Sequence, residues 1–206
     1  MLFKRKIYNK FLAWKHETNG KKALLVEGAR RIGKSTIVEE FAKNEYKSYI
    51  LIDFAKASED VKSYFKVYLD DLDTLYMLLS IQYGVKLYPR ESLIIFDEVQ
   101  MFPKAREAIK YLVADGRYDF IETGSLISIK ENIKSIVIPS EERHIKMYPL
   151  DFEEFCWALG EEVLIDYIRN CFAKLMPLES GIHAKAMLIF KEYLLVGGMP
   201  MSVVAF

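Results

Sequence analysis

The sequence contains little cysteine, proline or glycine. It has 2 Cys, 6 Pro and 10 Gly among 206 residues, which excludes a disulfide-rich scaffold, a collagen-like repeat and a low-complexity chain. Cys156 and Cys171 form no CxxC pair and have no clustered histidines beside them, so the pattern disfavours a structural zinc site. Both cysteines are expected to be reduced core residues.

The sequence also lacks a long hydrophobic run and an excess of either charge. Its 29 basic and 29 acidic residues balance, so no whole-molecule field attracts nucleic acid or an anionic membrane. No apolar run approaches the roughly 18 residues of a membrane span, and we expect a cytoplasmic protein. Residues 1–22 carry seven Lys or Arg residues against the single acidic residue Glu17, and residues 151–166 carry only acidic charges. Solvated helix faces are the ordinary interpretation, and complementary contact surfaces, including one for nucleic acid, are the alternative.

Apolar patterning predicts an α/β fold. Hydrophobic residues make up 51% of the chain, and a chain of this size can bury about 70% of its unfolded surface. Short apolar stretches alternate with segments of helical period, as parallel sheets require. The predicted strands are residues 22–27, 49–53, 93–97, 118–123 and 144–148. The predicted helix faces are Ile37, Val38, Phe41 and Ala42; Leu72, Leu75, Tyr76 and Leu79; and Ala105, Ile109 and Leu112.

A glycine-rich segment follows the first predicted strand and precedes a predicted helix. Its pattern of Gly, four residues, Gly, Lys and Ser is typical of a phosphate-binding loop. Glycines let backbone N–H groups turn toward an anion, and the helix N-terminus adds partial positive charge. The predicted nucleotide-binding residues are Gly28, Ala29, Arg30, Arg31, Ile32, Gly33, Lys34, Ser35 and Thr36.

Individual roles follow from the chemistry of these side chains. Lys34 is expected to reach the β- and γ-phosphates of ATP, and the Ser35 hydroxyl to ligate Mg²⁺. Thr36 is expected at the helix start near the α-phosphate. Arg30 and Arg31 occupy variable loop positions, so they are either phosphate contacts or solvent-facing charges.

Two further strand ends carry candidate chemistry. Asp97 and Glu98 follow the apolar run 93–96, which places two carboxylates at the carboxyl edge of a parallel sheet. We expect Asp97 to hold magnesium and Glu98 to orient and deprotonate an attacking water. Thr123 and Ser125 end the next strand, and either one is a candidate sensor of the γ-phosphate.

The segment after residue 150 predicts helices. Asp151 and Glu154 have the spacing of a capping box, and Leu150 can pack on Phe155. Phe152, Phe155, Cys156 and Leu159 are predicted to share one helix face. More helix follows as far as residue 191, with a break at Pro177 and a possible boundary at Gly181.

Together these motifs resemble the archaeal-type AAA ATPases, a prokaryotic P-loop group related to AAA+ and STAND ATPases. The resemblance extends from about Arg5 to Pro200. The phosphate-loop and Asp-Glu motifs mark ATPases broadly, whereas the later motifs are more group-specific. The motifs lie at residues 28–35, 97–100, 123–125, 149–155 and 193–194 with Gly-Gly-Met-Pro at 197–200.

The resemblance implies a five-stranded parallel sheet of order 5-1-4-3-2, ATP with Mg²⁺ as ligands, Glu98 as the activator of water, and a sensor at Thr123 or Ser125. Members carry an arginine shortly before the Pro-Leu segment, which Arg143 matches. It follows Glu141 and Glu142 rather than the usual glycine. Arg143 is therefore either an arginine finger or a structural arginine.

The resemblance also suggests a domain organisation. Members continue into a second domain after Gly-Gly-Met-Pro, whereas this sequence ends six residues later. We expect a P-loop ATPase core over residues 1–150 and a helical segment over 151–206 that starts a lid or a linker to a missing domain. The expected function is hydrolysis of Mg-ATP coupled to conformational change in an attached domain or a protein partner. The sequence is also compatible with a homo-oligomer. The alternative is a nucleotide-gated switch with little turnover.

Overall fold

A parallel five-stranded sheet organises the protein. The computed structural model describes residues 3–125 and 141–206. In order along the sheet, the strands are β2-β3-β4-β1-β5, and every paired neighbour is parallel. The order 5-1-4-3-2 is confirmed. The strands are β1 (Ala23–Gly28), β2 (Ser48–Asp53), β3 (Ser92–Asp97), β4 (Asp119–Ser125) and β5 (Glu142–Lys146).

Helices connect the strands and continue after the sheet. All three predicted helix faces lie in helices, and α2 begins directly at the end of the glycine-rich loop. Helix α3 had no counterpart in the predictions because its few apolar residues form only a short amphipathic stripe. The helices are α1 (Ile7–Thr18), α2 (Lys34–Glu45), α3 (Glu59–Val67), α4 (Leu72–Tyr83), α5 (Pro103–Asp115), α6 (Phe152–Ala158), α7 (Glu162–Ala173), α8 (Ser180–Val196) and α9 (Pro200–Ala205), with a 3₁₀ turn at Val99–Met101.

Alternating strand residues build cores on both sheet faces. Ala23 and Leu25 of β1 belong to a core that includes side chains of α3, α4 and α5. Leu24 and Val26 are also fully buried and, with the two-residue period of a strand, point to the other face. Burial on both faces explains why the strands read as nearly continuous apolar runs.

The chain divides into two compact units. One contains Ile7–Arg30 and the described part of Lys34–Met147, including the sheet. The other contains residues 3–6, Arg31–Gly33 and Tyr148–Phe206. This helical unit has its own apolar core, built from α6 to α9 and the segment before α6. The predicted division into domains 1–150 and 151–206 stays a prediction.

The predicted capping box at the start of α6 is present. Asp151 Oδ1 accepts a hydrogen bond from the Glu154 N–H at 2.9 Å, and Glu154 Oε2 accepts one from the Asp151 N–H at 3.3 Å. Leu150 and Phe155 lie buried in the same core. Helix α6 therefore begins where the local pattern predicts.

Two local predictions need correction. Strand β5 runs from Glu142 to Lys146, so it begins two residues before the predicted start. The sequence pattern did not indicate this start, because the first residue of the strand, Glu142, is charged. In the structure Glu142 is buried in an ion pair with Arg106. Leu159 is 38% exposed rather than part of the buried face, because α6 ends at Ala158.

Cys156 and Cys171 are free and buried, as predicted. Among the described residues, no helix combines the length and apolar character needed to cross a membrane.

Candidate functional site

The glycine-rich loop joins β1 to α2 through two left-handed backbone positions. Arg31 has φ 64° and Gly33 has φ 90°. Positive φ is strained for most residues but not for glycine, which explains the glycine before Lys34. Left-handed residues inserted into such a loop turn successive N–H groups toward one side, where an anion binds.

Lys34 lies at the start of α2 with its side chain folded back on the loop. The residue is only 6% exposed, and its Nζ donates to the carbonyl oxygens of Ala29 at 2.8 Å and Gly28 at 3.2 Å. Burial lowers the pKa of Lys34, and the nearby carboxylates of Glu98 and Asp97 oppose this shift. The loop's own carbonyls thus hold the ammonium at the place where phosphates are expected.

Two hydroxyl groups converge on one carboxylate oxygen at the carboxyl edge of the sheet. Ser35 Oγ donates to Asp97 Oδ1 at 2.7 Å, and the Thr123 hydroxyl donates to the same oxygen. Asp97 ends β3, and Thr123 lies on the neighbouring strand β4. The sheet order therefore assembles these three predicted residues.

This donor set suits a magnesium ion. Mg²⁺ prefers oxygen ligands and keeps several waters beside one or two protein ligands and phosphates. Ser35 and Asp97 offer one hydroxyl and one carboxylate within a single hydrogen-bonded group. In the described residues, no group of three or more His, Cys, Asp or Glu side chains could hold a metal ion by itself, so a metal here would depend on phosphate and water as well.

Glu98 adopts a left-handed conformation, with φ 51° and ψ 46°. This turn takes the chain out of β3 into the 3₁₀ turn, and the Glu98 N–H donates to Thr123 Oγ1 at 3.4 Å. The side-chain amide of Gln100 donates to Glu98 Oε2. The sequence predictions assigned no role to Gln100, although it lies in the quoted motif 97–100.

The structure distinguishes the positions of the two sensor candidates. Thr123 is fully buried and contacts Asp97, whereas Ser125 lies opposite Gly28 in the register of β4 and β1. Both are near the loop, and the Thr123 hydroxyl is hydrogen-bonded to Asp97, a predicted magnesium ligand.

Four other predicted residues lie outside this hydrogen-bonded cluster. Arg30, Arg31 and Thr36 are exposed. Arg143 is the second residue of β5, pairs in register with Leu24 and forms an ion pair with Glu17. Leu24 and Gly28 are four positions apart in β1, or about 13 Å of strand, so Arg143 lies toward the amino ends of the strands, away from the glycine-rich loop.

Sequence reasoning missed a buried pair of acidic residues, Glu122 on β4 and Glu142 on β5. Glu122 is fully buried; desolvation raises its pKa well above the ordinary value, and the charge of Glu142 adds to this shift. Arg106 Nη2 lies 2.8 Å from Glu142 Oε2, and His144 Nε2 lies 3.2 Å from the same oxygen. In the sequence, the one indication of this pair was an acidic residue, Glu122, directly before Thr123.

The comparisons with known families agree with this geometry. A family model described as an AAA domain matches residues 20–156, which is more than half of the chain. The chain belongs to the AAA domain family. The resemblance to archaeal-type AAA ATPases is thereby confirmed, and membership of an AAA family supports a nucleotide-binding, ATPase-like function.

Solved structures share the fold. The Walker-type ATPase PABY2304 of Pyrococcus abyssi is 17% identical, with a TM-score of 0.52, over 98% of this chain and 66% of that chain. The ORC1 protein of Aeropyrum pernix in complex with DNA is 12% identical, with a TM-score of 0.50, over 79% of this chain and 50% of that chain. The chain thus spans two-thirds or less of the length of these two proteins. No curated protein sequence matches it.

Proposed function

We propose that this AAA domain binds Mg-ATP and hydrolyses it to ADP and phosphate. The observation that carries the proposal is the shared hydrogen bonding of Ser35 and Thr123 to Asp97. It joins the phosphate-loop helix to two adjacent strand ends. Lys34 at the loop and Glu98 beside Asp97 complete a group suited to phosphoryl transfer to water.

Binding falls to the loop and to two ligands of the metal. Lys34 exchanges its carbonyl partners for phosphate oxygens, and Ser35 with Asp97 would hold Mg²⁺. The ion supplies charge neutralisation on the phosphates. The N-terminus of α2 contributes further positive potential.

Glu98 acts on the attacking water. Its carboxylate accepts one water proton while the water oxygen bonds to the γ-phosphorus and the bond from that phosphorus to the ADP oxygen breaks. Thr123 reports the state of the site, because its hydroxyl contacts Asp97 and receives the Glu98 N–H. Hydrolysis then changes the contacts of β3 and β4 at one edge of the sheet, and an attached domain or a protein partner responds.

A nucleotide-gated switch with little turnover is the second candidate. Two observations favour it. The Gln100 amide occupies one oxygen of the Glu98 carboxylate, and Arg143 pairs with Glu17 rather than joining the cluster. In either case balanced charge and free cysteines agree with a cytoplasmic setting.

The test is release of phosphate from Mg-ATP by the purified chain, together with direct measurement of ATP binding. Lys34→Ala serves as the blank for contaminating activity. Lys43→Ala is the matched control, because Lys43 is on the same helix but forms an exposed pair with Glu39.

Release above the blank, unchanged in Lys43→Ala, supports the ATPase. Binding without release supports the switch. If the chain does not bind ATP, or if Lys34→Ala binds it as tightly as the wild type, both proposals are wrong.

A further inference from the structure

Arg5 is a buried arginine with three partners in the helical unit. The residue is 7% exposed. Its Nη1 donates to the Ile32 carbonyl at 3.0 Å, and its Nη2 donates to the Tyr148 carbonyl at 2.6 Å. Its Nε lies 3.2 Å from Glu154 Oε2. One guanidinium therefore joins the segment before α1, the glycine-rich loop and the start of α6.

The contact with Ile32 determines the direction of one loop peptide. No peptide bond in the described chain is cis, and in a planar trans peptide the C=O and the following N–H point in opposite directions. With the Ile32 carbonyl directed at Arg5, the Gly33 N–H is directed away from Arg5. That N–H belongs to the phosphate-binding pattern and immediately precedes Lys34.

Gly33 needs such external support. Its φ of 90° is one that glycine adopts readily, but glycine also has the greatest freedom to leave it. A Cβ built on Gly33 would lie 4.0 Å from Arg5 Nη1 and 4.0 Å from Pro200 Cγ. Arg5 and Pro200, the last residue of the Gly-Gly-Met-Pro motif, thus flank this part of the loop.

Glu154 keeps Arg5 in place. Its Oε1 accepts the Lys6 N–H at 2.7 Å, while Oε2 faces Arg5 and also accepts the Asp151 N–H. Glu154, a member of the capping box of α6, therefore binds both the backbone directly after Arg5 and the guanidinium of Arg5. A buried guanidinium held by a carboxylate and two carbonyls is rigid, since its donors have a fixed planar arrangement.

We propose that Arg5 is a positioning residue for nucleotide binding. It holds the Ile32–Gly33 peptide in the orientation that lets the Gly33 N–H meet a nucleotide phosphate, and it ties this peptide to Tyr148 and Glu154. The inference rests on the proposed function, because it requires that the loop bind a nucleoside triphosphate. Arg5 acts through the loop and does not touch the nucleotide.

The experiment compares Arg5→Gln and Arg5→Lys with the wild-type chain. Dissociation constants for Mg-ATP and Mg-ADP are measured, with KM and kcat where turnover is present, and circular dichroism establishes that each variant is folded. Arg169→Ala is the matched control, because it removes an exposed arginine that pairs with Glu153 in the same unit. The double variant Arg5→Gln with Glu154→Gln removes both buried charges and carries the test if the single variant does not fold.

We expect Arg5→Gln to raise the dissociation constants for ATP and ADP about tenfold or more, and to raise KM more than it lowers kcat. Arg5→Lys keeps the charge without the planar fork, so it should recover part of the affinity. Arg169→Ala should bind as the wild type does. A purely structural role would instead lower the folded, active fraction and with it the apparent kcat, with dissociation constants and KM unchanged.

Two outcomes would overturn the inference, and they are distinguishable. If the wild type binds ATP and the folded Arg5 variants bind it equally well, the positioning role is wrong while the proposed function stands. If the wild type itself does not bind ATP, the proposed function is wrong and the role of Arg5 is wrong with it.

Discussion

The hydroxyl of Ser35 donates a 2.7 Å hydrogen bond to Asp97 Oδ1, although 62 residues separate the two in the chain. Strand order explains the contact. β4 lies between β1 and β3, and Thr123 of β4 donates to the same Asp97 oxygen. One carboxylate oxygen therefore connects the helix after the glycine-rich loop with two adjacent strands, which is why changes at the loop are expected to reach both strand ends.

Glu98→Gln should retain ATP binding and lose turnover. The amide is nearly isosteric with the carboxylate but cannot take a proton from water, so kcat should fall by about 10²- to 10⁴-fold. Phosphate release and ATP titration on the same preparation measure the two effects. Lys34→Ala should instead lose affinity, and equal losses of binding in both variants would contradict the assigned roles.

Thr123→Val should slow turnover about tenfold or more, because it removes the buried hydroxyl that contacts Asp97 and receives the Glu98 N–H. Ser125→Ala is the matched comparison on the same strand and should have the smaller effect. Single-turnover phosphate release on both variants gives the comparison. The opposite ranking would assign the sensor role to Ser125.

Arg143→Ala should leave ATP affinity and turnover of the isolated chain unchanged within about twofold. Arg143 pairs with Glu17 and lies toward the amino ends of the strands. The prediction follows from its distance from the glycine-rich loop. Turnover is measured over a range of protein concentrations. A loss of turnover with intact binding, which grows with protein concentration, would identify Arg143 as an arginine finger acting on a second copy.

Glu122→Gln should stabilise the protein increasingly as pH rises above 4.5, the ordinary pKa of this carboxyl. Burial raises the pKa of Glu122, so the folded state holds its proton where the unfolded state has lost it. Stability present below pH 4.5 is therefore lost as pH rises through the folded-state pKa, at about 1.4 kcal/mol for each unit of pKa difference. A glutamine imitates the protonated carboxyl beside Glu142.

Urea unfolding of Glu122→Gln across a pH series tests this expectation. Glu107→Gln is the control, because it makes the same substitution at an exposed position on α5. A free energy of unfolding that varies with pH identically in the wild type and in Glu122→Gln would show that Glu122 does not titrate differently in the two states.

Gly198→Ala should destabilise the helical unit by about 1–3 kcal/mol. A Cβ on Gly198 would lie 2.0 Å from the Leu150 carbonyl oxygen, and the Leu150 N–H donates to the Gly198 carbonyl at 2.7 Å. Because these Leu150 atoms belong to the backbone, no flexible side chain can move aside to make room for the added Cβ. Gly181→Ala is the control, because the atoms nearest to its added Cβ belong to the flexible side chain of Glu179.

Equilibrium unfolding of the two glycine variants provides the measurement. Gly181→Ala should remain within about 0.5 kcal/mol of the wild type. Equal stability of both variants would show that the segment before α6 can shift away from Gly198 without cost.

Local pattern was sufficient for much of the fold. The apolar run of β1, the glycine-rich loop and the amphipathic face of α2 are adjacent in sequence, so their order is legible without tertiary contacts. The capping box of α6 is equally local and was predicted to the residue. The early start of β5 was missed because Glu142 is buried by an ion pair with Arg106, which is on a helix far from it in the sequence.

Residues a few positions apart were sufficient to predict the α/β class, the glycine-rich loop between β1 and α2, and the carboxylate pair at the end of β3. Three contacts or positions became known from the folded chain alone: Thr123 contacts Asp97, Arg143 lies toward the amino ends of the strands, and Arg5 reaches the Ile32 carbonyl. These depend on strand register and on side chains that meet across long stretches of chain, and neither periodicity nor motif spacing specifies them.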